Sequence, residues 1–483
     1  MQVYNAYYDK LIWSDSVLTR LSKRIVWYFA ASLFLLINFC NLVYYDQHYW
    51  PWPLTPLRVV GLSFGFILIT IAGIWLLRLL WPHLTGHWEP WVLGLALVLR
   101  VGWVLVVRTP PVQDYLSLHQ ASIAFAQGVA NFATSNRYLA NYPYMLGFVL
   151  YQGSVIKLFG NSLLLLQLLN SLFSVITIYF VGKISRQLYG ERAQILALLM
   201  MTVYVPNVVA TSVLTNDILA VMFFMAAIWL LIARPLTWRT GLAIGLLMFL
   251  GNFIRPLATI ILLAVTLYAV LIALPTHRHK YRYLLGLISL LLTFGVATVG
   301  SNMVVQAAKL TPQSIVTTNT AWKLAVGLNS KTDGKWNEAD YAVVAAGKTA
   351  AERTKLSQKL LKQRLAQPEK LPGLMAKKFA IMWADIDTMT SWGTKQTRIP
   401  AMIVDALCIS QRAMYVILTA LVSLTLLKRP RGAANLIMIL LIGYILIHLG
   451  IEIQTRYRYF AMPLMVILAS GAPALWSVNW SDK

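Results

Sequence analysis

RTPPVQDYLSLHQASIAFAQG, running from Arg108 to Gly128, is a polar stretch carrying one acid, Asp114, in a chain otherwise dominated by long apolar runs. It ends one such run, Trp91 to Val107, and this alternation of apolar run and polar break sets the architecture. An apolar run of roughly 20 residues is long enough, as a helix, to cross the hydrocarbon of a bilayer.

Composition agrees. With 58% hydrophobic and 12% charged residues over 483 positions, the chain has too little polar surface for a soluble globule of its size. The reading is an all-α polytopic membrane protein with about twelve spans. Lys10, Arg20, Lys23 and Arg24 precede the first run, Ile25 to Tyr45, and mark the amino terminus as cytoplasmic. That run has no small-residue cleavage site and follows Asp9 and Asp15, so it reads as a retained span rather than a signal peptide.

Two further runs, Arg58 to Leu80 and Trp91 to Val107, then place Asp114 outside. Tyr142 to Phe159 would reverse all later sidedness if it spanned fully, and the basic loop Lys183, Arg186, Arg192 argues against that. It is therefore expected to be re-entrant or interfacial. Spans continue at 162–182, 195–213, 218–233, 241–254, 256–274 and 284–306, with basic, cytoplasmic loops at Arg234 to Arg239 and His277 to Arg282.

From Ala307 to Pro400 the chain turns polar for about ninety residues, far beyond an ordinary connection. It is read as a small extracytoplasmic domain with 15 Lys and Arg against 7 acids. Within it, Leu356, Leu360, Leu361 and Leu365 recur at helical spacing among bases, and Leu371 to Trp383 is expected to be a second amphipathic helix lying on the membrane. Three last spans follow at 401–427, 433–451 and 460–476, with KRPR at Lys428 to Arg431 inside and the carboxyl terminus cytoplasmic. The organisation is thus 1–90 with two extra helices, 91–306 as a membrane core with first external loop 108–160, the domain 307–400, and the terminal helices 401–483.

Cys40 and Cys408 sit in separate spans and suggest neither disulfide nor metal cluster. No phosphate-binding glycine loop, dinucleotide fingerprint or HExxH is present. The net charge of +24 collects at cytoplasmic loop ends and in the external domain, so anionic lipid is the expected partner rather than nucleic acid.

Of only 17 acids, most near span ends fall on the outer side, among them Asp114, Asp217 and Glu452. Polar chemistry therefore faces out. Asp114 and Asp217 each precede a helix-like run and are equally readable as helix caps. Arg255, Arg456 and Arg458 lie at outer span ends, against the positive-inside bias. Glu452 is four residues before Arg456 and fits an ion pair at helical spacing. Tyr142 and Tyr144 suit sugar stacking or interfacial anchoring, and Trp322, Asn329, Trp336 and Asp340 suit an acceptor cleft or the domain's own cohesion.

Taken in order, the Asp114-Tyr115 loop, NYPYMLGFVLYQGSVIKLFGNS from Asn141, YVPNVVATSVLTNDILAVMFF around Asp217, FIRP at Phe253 to Pro256, WKLAVGLNSKTDGKWNEAD from Trp322 and EIQTRYRYFAMP from Glu452 resemble GT-C membrane glycosyltransferases of the protein O-mannosyltransferase-like (PMT/ArnT-like) group. The resemblance runs from about Trp91 onward. It implies inverting transfer of a sugar from a polyprenyl-phosphate donor to a lipid, a cell-wall or teichoic-type polymer, or a protein hydroxyl, on the extracytoplasmic face. It also implies that Asp114 is the general base, that Asp217 lies near the sugar, and that Arg255, Arg456 and Arg458, with Tyr142, Tyr144 and Glu452, line the substrate site. No metal or other cofactor is expected. Where the mannosyltransferases proper have Asp-Glu in the first loop, this chain has Asp114-Tyr115, which leaves the sugar and acceptor open. The competing reading is a multi-span transporter or flippase of a lipid-linked or polyanionic substrate, which would more often show two related halves.

Overall fold

The computed structural model describes residues 17–46, 53–311, 314–316 and 319–475. Asp9, Lys10, Asp15 and the stretch from Trp476 onward, on which the terminal topology drew, lie outside these residues. Among the described residues the chain is helical and contains no strand.

The principal helices are α1 (Val17–Val43), α2 (Pro56–Leu80), α3 (Glu89–Val107), α4 (Gln113–Ala126), α5 (Leu146–Phe159), α6 (Leu163–Tyr189), α7 (Glu191–Val203), α8 (Asp217–Ala233) and α9 (Trp238–Ile254). They continue with α10 (Ala258–Tyr268), α11 (Lys280–Ala307), α12 (Thr320–Gly327), α13 (Glu338–Ala345), α14 (Ala350–Leu365), α15 (Leu371–Ala384), α16 (Ala401–Leu427), α17 (Ala434–Gly450) and α18 (Arg458–Ala469). Each run read as a span has a helix, but they are not twelve equal crossings. Among the described residues seven helices are long and apolar enough to cross a membrane, or eight if the bent pair 191–212 is one span. The helices α8, α9 and α17 are shorter apolar ones, and α18 has 12 residues. At 14 residues, α5 rises only about 21 Å, too short for a hydrocarbon core of about 30 Å.

The bend after α7, 62°, is where an apolar bundle meets its hardest problem. Backbone that leaves the helical path in a water-poor interior must find partners for its freed carbonyls. Arg100 supplies them at the break, donating to Met201 O at 3.0 Å and Thr202 O at 3.3 Å while its Nε reaches Ser174 Oγ at 2.8 Å. Further along, Gln167 donates to Thr109 O at 2.9 Å and Ser212 O at 2.7 Å, and Asn170 donates to Val213 O at 2.9 Å. These polar residues on α3 and α6 fix the path of 204–216 and so the start of α8. Elsewhere close packing is backbone on backbone: an added Cβ at Gly245 would lie 2.5 Å from Leu290 O, so α9 and α11 cross without room for a side chain there.

Alternation of helix direction collects one set of loops at one end of the bundle. The end of α3, the starts of α6 and α8, the end of α9, the end of α11 and the end of α17 all fall there, and with them Asp114, Asp217, Arg255 and Glu452. At the opposite end are the Lys183–Glu89 ion pair, 2.7 Å, and the basic loops.

The two helices expected to be amphipathic do form, but neither faces the bilayer with its apolar stripe. Leu360 of α14 is buried in a small cluster with Trp322, Ala325, Val326 and Val344, with Leu356 and Leu361 packed against it. Leu374, Phe379, Met382 and Trp383 of α15 are buried, packed against α1 and α17. Both apolar faces are covered by protein, that of α14 by the Trp322 cluster and that of α15 by α1 and α17. Cys40 and Cys408 are both free and buried.

Replacing Arg100 with Leu should orphan two buried carbonyls and destabilise the protein by about 1–3 kcal/mol. Thermal unfolding of the detergent-solubilised protein measures it, and an unchanged midpoint refutes this account of the bend.

Candidate functional site

Asp114 reaches its place through unusual backbone. Arg108 (φ 46°) and Gln113 (φ 50°) are both left-handed, a conformation disfavoured for side chains of their size. They bracket Thr109–Val112 and turn the first turn of α4 toward the 452–458 segment. The cap position belongs to Val112, and Asp114, two residues into the helix, makes no capping hydrogen bond. Its side chain is 42% exposed, with Oδ2 3.8 Å from Nη2 of Arg456. Burial pushes its carboxyl above the usual range, while Arg456 and a hydrogen bond from Tyr138 pull the other way.

Arg456 is buried and heavily oriented. Nε donates to Gln454 Oε1 at 2.7 Å, and Nη1 donates to the Tyr115 hydroxyl. Its guanidinium lies 4.5 Å from the centre of the Trp392 ring and 5.3 Å from that of Tyr115. These two rings, that of Tyr457 at 5.8 Å and the two hydrogen bonds hold the cation in place, while its contact with Asp114 stays long.

Two tighter ion pairs flank this loose one. Asp217, in the first turn of α8, receives Nη1 of Arg255 at 2.8 Å and the Thr215 hydroxyl at 2.8 Å. Arg255 closes the end of α9, also bonds Asn216 Oδ1 at 3.0 Å and lies over the Tyr457 ring. Glu452 pairs with Lys323 of α12 at 2.6 Å and accepts from Gln454 at 2.9 Å. Burial alone would raise Glu452, but the ammonium of Lys323 holds it below the usual carboxylate range. Three carboxylates, Asp114, Asp217 and Glu452, thus meet three cations, Arg255, Lys323 and Arg456. Asp114 alone among the three acids lacks a close cation.

Several expectations change on this geometry. Glu452 does not pair directly with Arg456, because residues 451–454 are non-helical; Lys323 takes the carboxylate, and Gln454 bridges it to Arg456. Arg458 turns away from Asp114: it donates to Asp385 O at 2.7 Å, lies 3.8 Å from Asp387 and stacks on Tyr415. Asp340 joins α13 to the loop after α12 through Asn329 at 2.7 Å and to α14 through Arg364 at 2.9 Å, and Trp322 is buried in the apolar cluster that includes Val344 of α13 and Leu360 of α14. Their cohesive role is the one observed. Tyr142 and Tyr144 do come to the site, as an aromatic chain with Tyr138 (centroids 4.8 Å and 5.9 Å apart), and the Tyr142 ring is 6.0 Å from Lys323 Nζ.

Lys323 is the residue that sequence reading missed. It stands in WKLAVG, one place after Trp322, and its only signal was a lone cation on a short apolar helix. Among the described residues no group of three or more His, Cys, Asp and Glu is placed to hold a metal ion.

Residues 142–298 match the family described as dolichyl-phosphate-mannose-protein mannosyltransferase. Over that third of the chain the sequence is similar to this membrane mannosyltransferase family, and the protein is a polytopic membrane protein, all-helical among the described residues. Among solved structures, ArnT from Cupriavidus metallidurans bound to undecaprenyl phosphate is similar at 13% identity and a TM-score of 0.36, over 80% of this chain and 77% of that one. Among curated proteins no sequence matches.

The two acids on either side of Arg456 should separate by stability. Asp217→Asn strands Arg255 in a buried site and should destabilise the protein by about 3–5 kcal/mol. Asp114→Asn should leave the unfolding midpoint close to wild type; equal losses in the two variants refute the distinction.

Proposed function

We propose that the protein transfers a glycosyl group from a polyprenyl-phosphate-linked donor to an acceptor hydroxyl, in an inverting reaction on the extracytoplasmic side. The observation that carries the proposal is Asp114: an accessible carboxylate with a raised pKa, beside three buried or half-buried cations and without a tight partner of its own. The family resemblance supplies the donor class, and the described family acts on dolichyl-phosphate-mannose.

The chemistry balances on this site. The acceptor oxygen forms a bond to the anomeric carbon as the bond from that carbon to the phosphate oxygen breaks, and the acceptor proton passes to Asp114 as general base. The departing lipid phosphate gains negative charge, and oriented cations stabilise it without having to reorganise. Arg456 is best placed, being fixed on aromatic faces, and Lys323 and Arg255 stand beside it. The 3.8 Å separation already leaves the guanidinium of Arg456 able to meet a phosphate where it stands, and leaves the base without a tight cation. Tyr138, Tyr142 and Tyr144 offer ring faces for the sugar. Asp217 is a holder of Arg255, and Glu452 a holder of Lys323. Arg458 belongs to a separate polar cluster.

The sidedness rests on charge. The loops around Lys183, Arg186 and Arg192 lie at the bundle end opposite Asp114, and basic loops favour the cytoplasm. The acceptor is a lipid, a wall-type polymer or a protein, and Tyr115 in place of the mannosyltransferase Glu leaves those classes open.

Transfer measured in membranes with a labelled polyprenyl-phosphate sugar tests the reading. Asp114→Asn should lower the rate by about 10²–10⁴-fold. Because Asp114 acts only when ionised and its pKa is raised, activity should be complete above that pKa and fall as pH drops through it, with an acid limb above the ordinary carboxylate range. Wild-type transfer by the variant sinks the base assignment. Transport of the intact lipid-linked sugar without bond cleavage would favour a flippase. Lys323→Ala should raise the KM for donor by about tenfold, as the loss of one charge-assisted contact would; an unchanged KM removes it from the phosphate site.

A further inference from the structure

Lys378, on α15, is the one lysine among the described residues with 0% exposure. Its Nζ donates to three backbone carbonyls, Gly327 O at 2.7 Å, Leu449 O at 2.6 Å and Ile451 O at 2.8 Å. An ammonium has three protons, and all three are used. It has no ion-pair partner among the described residues, and burial pushes its pKa down to about 7. What compensates the charge is the meeting of two helix ends: Gly327 ends α12, and Leu449 is in the last turn of α17, so the cation sits where both leave orphan carbonyls and negative dipole ends.

The junction that it fills carries half of the site. The residue after Ile451 is Glu452, and α12 carries Lys323. Backbone bonds tie the same two segments, from Glu452 N to Lys323 O at 3.0 Å and from Ile453 N to Gly334 O at 3.0 Å. The approach is so close that a Cβ at Gly327 would collide with the Gly450 carbonyl.

We propose that Lys378 is a positioning residue for the phosphate-binding half of the site: its ammonium pins the ends of α12 and α17 together and thereby sets the Lys323–Glu452 pair against Asp114 and Arg456. The proposal rests on the phosphate role given to Lys323 above. Removing the ammonium leaves three carbonyls without this donor, two of them at or just past the end of α17, so the loss falls on the segment that leads into Glu452. Arginine is a poor substitute, since a planar fork cannot converge on three acceptors around one point as an ammonium does.

The test uses full-length protein in lipid nanodiscs with undecaprenyl phosphate as the probe. Lys378→Met should weaken its binding by about tenfold, as Lys323→Ala does, and the double variant should bind no worse than Lys323→Ala alone, since residues that act through one another are non-additive. Lys378→Arg should recover only part of the affinity. Hydrogen exchange at the Glu452 and Ile453 amides should accelerate in Lys378→Met. If that variant does not accumulate, Gly327→Ala opens the same junction from the other side and should give the same two results. Wild-type affinity in the variant, additive losses, or unchanged amide exchange overturns the proposal. If wild type does not bind undecaprenyl phosphate, the donor reading fails by itself and amide exchange still decides whether Lys378 holds the junction.

Discussion

A helix in an apolar surrounding satisfies its own backbone, but every place where a helix stops there leaves carbonyls and amides that water cannot reach. In this protein those stops recur at one end of the bundle, and at three of them the carbonyls are met by a polar side chain sent from a neighbouring helix. Arg100 serves the end of α7, Gln167 and Asn170 serve the 204–216 segment, and Lys378 serves the ends of α12 and α17. Several of the polar residues inside the bundle are thus explained by the places where helices stop.

The same constraint explains the charges. Carboxylates and cations brought out of water need partners, and an unpaired buried charge is far more costly than a paired one. Asp217 with Arg255 and Glu452 with Lys323 obey this closely. Asp114 does not, and it is also the most exposed of the three acids. A loosely held carboxylate next to a rigidly held arginine is an arrangement that structural stability does not require, and for that reason it is the place to look for chemistry.

Much of this was legible in the chain itself. Run length and the scarcity of charge gave a polytopic helical protein, the basic loops gave its alternation, and the position of Asp114 between a span and a polar helix singled it out. The pairings were not legible. Glu452 and Arg456 are four apart and of opposite charge, but the spacing means something only on a helix, and the backbone there is extended and turned. Arg458, two residues beyond Arg456, was grouped with it, although it points to Asp385 and Asp387. Lys323 is 129 residues from Glu452, and no local pattern announces such a contact.

The amphipathic helices show the same division. Periodicity correctly marks one apolar face on α14 and on α15, but a stripe of leucines does not say whether lipid or protein will cover it; here Trp322 and its neighbours cover the first, and α1 and α17 the second. The sequence by itself determined the membrane class, the helices and the candidate acid Asp114, because hydropathy and charge act locally and are written in composition and spacing. Tertiary structure alone decided which cation meets which carboxylate, and hence which acid stays free to react, because ion pairing depends on distances of a few ångströms between segments that the chain order keeps far apart.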